Sequence, residues 1–207
     1  MKRHLLAIDT TSESGSLALF LAGAEGGRVL EEVALHSPDG YAHILFAEIE
    51  RLLARHGLKI TDIEGFAAAS GPGSFTGVRV GLTAAKGLAE ATHRQVAAVS
   101  NLQALASFGT TALRAPVIDA RRGEVFVAIY DSDLRRVSEE VVVKFEDWMK
   151  APARGEIEII QGTRLLAGAI ARIAAGRFEA GLAQDPAAID ANYVRRSDAE
   201  LMWRDEA

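Results

Sequence analysis

A glycine-dense loop set between an apolar run and a helical repeat restricts what this 207-residue sequence can fold into. Phe66-Ala67-Ala68-Ala69 reads as the end of a strand. Ser70-Gly71-Pro72-Gly73-Ser74-Phe75-Thr76-Gly77 follows, after which Val78, Leu82, Ala85 and Ala89 recur at helical spacing. Ser74 or Thr76 can cap that helix. A strand, a glycine loop and a helix N-terminus in this order suit an anion, because unpaired backbone N–H groups converge there. A second use fits equally: Gly77, Gly81, Ala84, Ala85 and Gly87 give the helix a narrow face on which another helix can pack. The loop matches neither the Walker pattern nor the dinucleotide GxGxxG pattern.

The segment before the loop predicts three strands joined by tight turns, at residues 4–9, 16–21 and 29–35, which is an antiparallel meander. The first strand ends in Asp9, and Thr10, Thr11 and Ser12 follow in the turn. A carboxylate there either caps its own turn or, as the resemblance of this opening to actin-like ATPases and sugar kinases implies, faces a nucleotide's phosphates and metal. Ser37-Pro38 predicts a helix start, with Tyr41, Ile44, Leu45, Ile49, Leu52 and Leu53 as its apolar stripe and Gly57 as its stop. His43 and Glu50 lie off that stripe. Strands at 63–69 and 96–99, with helices at 78–91 and 101–108, imply parallel pairing through crossovers. Beyond residue 110 the pattern repeats: a strand to Asp119, a turn through Arg121 and Arg122, strands at 124–130 and 137–145, and another at 157–160. Thr163 is then read as the cap of a helix that Gly176 ends, and the charged tail from Asp185 is expected to loosen at its end. The domains expected are 1–110 and a smaller 111–207.

Composition narrows the function classes. The net charge of −5 does not favour a chain that grips RNA by itself, although a local basic patch is compatible with it. The chain has no cysteine, which removes disulfides, thiolate metal sites and a cysteine nucleophile. No apolar run has the length of a membrane span, and the start is too polar for a signal peptide, so a cytoplasmic protein without membrane contact is expected.

Four stretches together resemble the TsaB (YeaZ) family. They are Ile8-Asp9-Thr10-Thr11, the loop from Gly71 to Arg79 with Ala85-Lys86-Gly87-Leu88-Ala89, Asp119-Ala120-Arg121-Arg122-Gly123-Glu124-Val125-Phe126, and Asn192-Tyr193-Val194-Arg195. The resemblance implies an α/β, actin-like and Hsp70-like (ASKHA) duplicated domain, with mixed sheets and a reduced second lobe. It implies a non-catalytic scaffold, active in threonylcarbamoylation of the adenosine beside the anticodon. The partners implied are a TsaD-like paralogue and a TsaE-like ATPase, with tRNA reached through the complex and a homodimer formed in isolation. The paralogue holds a metal with a His-x3-His pair, which here falls on Asn101 and Leu105, so no metal site and no cofactor are expected. Asp9, Thr10, Gly73 and Gly77 are the candidates if a nucleotide binds at all. The interface expected comprises His43, Glu50, Gly77, Val80, Gly81, Ala84, Gly87 and Leu88. Two other classes remain in view: a small-molecule kinase of the same superfamily, and a peptidase, for which no nucleophile–base pair or zinc motif is found.

Overall fold

The computed structural model describes residues 2–23, 26–150 and 156–194. Its strands are β1 (Arg3–Asp9), β2 (Ser16–Gly23), β3 (Gly26–Ala34), β4 (Gly65–Ala69), β5 (Val96–Val99), β6 (Leu113–Arg121), β7 (Glu124–Val127), β8 (Tyr130–Asp131), β9 (Val141–Lys144) and β10 (Ile157–Ile160). The helices are α1 (Leu45–Arg55), α2 (Phe75–Thr92), α3 (Asn101–Ala106), α4 (Phe145–Lys150) and α5 (Ala167–Glu179). The first sheet has the order β3-β2-β1-β4-β5. Its first three strands form the antiparallel meander, and β4 and β5 add to it in parallel. The second sheet runs β10-β6-β7-β9, with β8 also on β6.

Both faces of the first sheet are covered, which is why its strands are continuous apolar runs rather than alternating ones. Successive side chains point to opposite faces. Leu6, Ile8, Leu17 and Leu19 therefore share one core with Leu45, Leu52, Val78 and Leu82 of α1 and α2. Leu5, Ala7, Ala18 and Phe20 share another with Ala167, Ile170, Ala171 and Ala174 of α5. Alanine on both sides lets α5 lie close to the sheet. That helix follows the second sheet in sequence yet packs on the first, so the chain crosses back after residue 160.

Several predicted boundaries move. The helix expected from Pro38 begins at Leu45, because Tyr41 has another task. Its hydroxyl accepts from the Gly15 amide at 2.9 Å and donates to the Ser12 carbonyl at 2.9 Å, pinning the β1–β2 turn. α2 starts at Phe75 with Ser74 as the cap, its Oγ accepting from the Gly77 amide at 3.3 Å. The strand predicted over 137–145 is cut to β9, because the Val137 and Ser138 amides both turn in to the Ile129 carbonyl, and Phe145 opens α4. Thr163 caps nothing. α5 begins at Ala167 and continues past Gly176 to Glu179, with Gly181 (φ +69°) just beyond its end. The tail is anchored through residue 194: Asp185 caps a single 3-10 turn, Pro186–Ala188, and Ile189 is buried against the α1–α2 core. The expected loosening falls on residues 195–207, outside the described residues. Among the described residues no helix is long and apolar enough to cross a membrane.

Candidate functional site

The end of β1, the glycine loop and the start of α3 meet in one buried cluster. Asp9 is fully buried. Its Oδ1 accepts from the Thr11 amide at 3.0 Å and from the Thr11 hydroxyl at 2.6 Å, while Oδ2 has no partner among the described residues. Burial holds the carboxyl above the ordinary aspartate range, and the bonds from Thr11 offset part of that rise. Asn101 closes the cluster. Its side-chain amide donates to Thr11 Oγ1 at 2.5 Å, its Oδ1 accepts from the Gly71 amide at 2.9 Å, and its own backbone amide donates to the Gly71 carbonyl at 2.9 Å. Thr10 bonds in the other direction, its hydroxyl donating to the Gly77 carbonyl at 2.6 Å.

The glycines of the loop are explained by this contact. A Cβ on Gly77 would lie 2.0 Å from the Thr10 carbonyl oxygen, and one on Gly73 would lie 2.7 Å from that of Thr11. On Gly81 it would lie 2.6 Å from the Thr10 hydroxyl. The missing side chains make room for the β1 turn of the same chain. Gly71, at φ +97°, carries a backbone conformation that other residues rarely adopt.

An open cleft of about 1560 Å³ lies above the cluster and extends to the second sheet. Thr11, Pro72, Gly73, Ser74, Asn101 and Asp119 are among its lining. Across its mouth Arg121, on the β6–β7 turn, reaches Glu13 on the β1–β2 turn at 3.5 Å. Both side chains are strongly exposed, so this pair contributes little to stability. Deeper in, Glu140 ties four segments together. It accepts from the Ser100 hydroxyl and the Tyr130 hydroxyl, each at 2.5 Å, and from the Asn192 side-chain amide. Burial, followed by the Glu140 carboxylate, drives the Tyr130 hydroxyl well above its ordinary range. Asn192 also donates its backbone amide to the Ser70 carbonyl at 2.7 Å, so the C-terminal segment straps the glycine loop.

The structure redistributes the expected site residues. Asp9, Thr10, Gly73 and Gly77 do come together, but the two glycines face Thr11 and Thr10 rather than open space. Of the expected interface, Gly77, Gly81 and Ala84 are buried against the chain's own interior, and that part of the expectation is corrected. A stripe of small residues on α2 fits its sheet here, because the β1 turn comes closer than any side chain would allow. His43, Glu50 and Gly87 are exposed, and Val80 and Leu88 half-buried. No cluster of three metal-ligating residues occurs among the described residues. Sequence reasoning missed Tyr41, Ser100, Tyr130 and Glu140 as site-builders. Asn101 had a signal in its position, and Asn192 in the closing motif, whereas Glu140 sits in an ordinary charge run.

This architecture is shared. A family model described as "TsaD: tRNA N6-adenosine threonylcarbamoyltransferase" matches residues 35–177. Fold and site thus define a two-sheet α/β protein of the TsaD type. The chain is 28% identical to the tRNA threonylcarbamoyladenosine biosynthesis protein TsaB of Bacillus subtilis, over 96% of this chain and 97% of that protein. It is 37% identical to the protein of the same name from Escherichia coli, over 63% of this chain and 56% of that one. A crystal structure described as an uncharacterized protein with similarity to peptidase YEAZ from Pseudomonas aeruginosa superposes with a TM-score of 0.79. It is 26% identical and covers 93% of this chain and 100% of its own. The chain belongs to the TsaB (YeaZ) family.

Proposed function

We propose that the chain is a non-catalytic subunit in tRNA threonylcarbamoyladenosine biosynthesis, pairing with a TsaD-like paralogue and joined by a TsaE-like ATPase. Asn101 carries this reading. It stands where the first metal-binding histidine of the paralogue falls by resemblance, and both ends of its side chain are committed to Thr11 and the glycine loop. Leu105, at the second position, is buried in the core. The loop is kept as a packing element and the metal chemistry is left to the partner. The names of the curated relatives support the same pathway.

The pairing surface we assign is the outer side of α1 and α2, both seated on one face of the first sheet. Exposed His43, Phe46, Glu50 and Gly87, with half-buried Val80 and Leu88, form it. A two-fold pairing of this side with itself gives a homodimer, which the paralogue, with similar helices, replaces. The two turns that open on Asp9 and Asp119 also support an internal duplication. Each carboxylate accepts the backbone amide two residues on, at 3.0 Å from Thr11 and 2.8 Å from Arg121.

Reconstitution with a TsaD-like protein, a TsaE-like ATPase and threonylcarbamoyl-adenylate tests the reading. Modified adenosine should form only when this chain is present. Gly87→Arg, introduced where a Cβ meets nothing within 4 Å, should stay folded by circular dichroism, elute as a monomer and fail to pair. Modification without the chain refutes the function. A dimeric Gly87→Arg that still pairs moves the interface elsewhere.

A further inference from the structure

We infer that Phe75, Arg79 and Tyr193 form a stacking platform for an unpaired RNA base at the rim of the cleft. The inference rests on the tRNA-modification reading above and assigns it an RNA contact. Phe75 and Tyr193 are 42% and 47% exposed, an unusual setting for two aromatic rings 5.5 Å apart at a cleft edge. Their placement is fixed. Phe75 is the first residue of α2, directly after its Ser74 cap, and the Arg79 guanidinium one turn later lies 3.9 Å from the centre of its ring. Arg79 Nε donates to the Tyr193 hydroxyl at 3.0 Å. Tyr193 is held from behind by Asn192, bonded to the Ser70 carbonyl and to Glu140. The three flat groups are thus ordered before any ligand arrives, which lowers the entropy cost of binding.

The chemistry fits a base better than a peptide or a free phosphate. Single-stranded RNA is gripped by aromatic rings and guanidinium planes on which splayed bases stack, with arginines along the backbone. Arg79 has no carboxylate within 4 Å among the described residues, so its charge is available to a phosphate. A second stack of the same kind occurs at Arg164, which lines the same cleft, lies 4.8 Å from the centre of the exposed Phe108 ring and has no acidic partner among the described residues. Glu13, Asp39 and Asp119 also line the cleft, so an anionic backbone is favoured at the arginine edges and not in the interior. On α2, Phe75 and Arg79 form a row beside the Val80–Leu88 side, so RNA and a protein partner can be held together.

Fluorescence anisotropy with two synthetic RNAs provides the test: a hairpin with an adenosine-rich single-stranded loop, and a blunt duplex. The full chain is used both alone and paired with its TsaD-like partner. The hairpin should bind more tightly than the duplex. Phe75→Ala and Tyr193→Ala should each weaken hairpin binding about tenfold, as expected for one lost base stack, and leave duplex binding unchanged. Tyr193→Phe, which keeps the ring, should stay near wild type. Arg79→Gln should weaken binding and flatten its salt dependence. The platform is overturned if the assembled pair binds no hairpin, if hairpin and duplex bind alike, or if the alanine variants bind as wild type. It is also overturned if those variants lose the protein partner and keep RNA, since the patch is then a protein contact. Gly87→Arg separates the two surfaces: a variant that fails to pair but keeps Tyr193-dependent hairpin binding shows that the platform works apart from the pairing surface, and a variant that still pairs overturns the assigned pairing surface and leaves the platform standing.

Discussion

Asp9 shows how one residue can be built for packing and still carry a charge problem. Its Oδ1 holds the Thr11 amide and hydroxyl, and its Oδ2 is buried without a partner among the described residues. With the folded-state pKa raised, the folded chain binds this proton more tightly than the unfolded chain. Stability should therefore fall as pH rises from the unfolded value of 3.8 through the folded pKa, and the cost stays fully present above it. Asp9→Asn keeps an acceptor for Thr11 and removes the charge. It should flatten that part of the stability profile, measured by urea unfolding across pH, and leave tRNA modification within a few-fold of wild type. Asp9→Ala leaves two donors without an acceptor and should cost about 1–3 kcal/mol. A thousandfold loss of modification in a folded, paired Asp9→Asn would assign the carboxylate to chemistry, since that loss corresponds to roughly 4 kcal/mol of transition-state stabilisation.

At the scale of the element, α2 separates two kinds of glycine. An exposed glycine inside a helix costs about 1 kcal/mol relative to alanine. Gly87 is of that kind, and Gly87→Ala should raise stability by roughly 0.5–1 kcal/mol. Gly77 is of the other kind. A methyl group 2.0 Å from the Thr10 carbonyl oxygen forces the helix off the β1 turn, and Gly77→Ala should destabilise by about 1–3 kcal/mol or more despite its better helix propensity. Gly81→Ala meets a hydroxyl at 2.6 Å, which can rotate only by giving up its bond to the Gly77 carbonyl, so an intermediate loss is expected. Thermal melts of the three variants decide the matter: equal effects would show that the loop glycines have no packing role. The periodicity of α2 is legible in the sequence, but which side its glycines face is not, because a small-residue stripe looks the same whether it meets a sheet or another helix.

For the molecule as a whole, Glu140 joins what the two sheets would otherwise leave to apolar contact. Ser100 lies at the start of α3, Tyr130 on β8, and Asn192 on the strap over the glycine loop. Glu140→Ala should cost about 3 kcal/mol, because three partly buried donors lose their acceptor at once. Hydrogen exchange should then rise together at residues 70–77, 100–105 and 189–194, while α1 keeps its protection. A rise confined to the neighbourhood of residue 140 would mean that the four segments are held independently.

The sequence by itself determined the order of the elements in the first sheet, the meander with its parallel extension, the glycine loop and the family, because these rest on local periodicity, turn chemistry and motif, whereas β8 and α4 begin inside stretches that read as single strands. Ser74 and Asp9 act within three residues of their own positions, and such contacts can be read along the chain. Only the tertiary structure decided that Asn101 reaches Thr11 across 90 residues, that Thr10 fills the space left at Gly77, and that α5 returns to the first sheet. It also moved the start of α1, since Tyr41 is drawn to a turn 26 residues earlier. The physical reason is common to these cases. A buried donor or acceptor must find a partner wherever the folded chain brings one, and spacing along the sequence does not encode which one arrives.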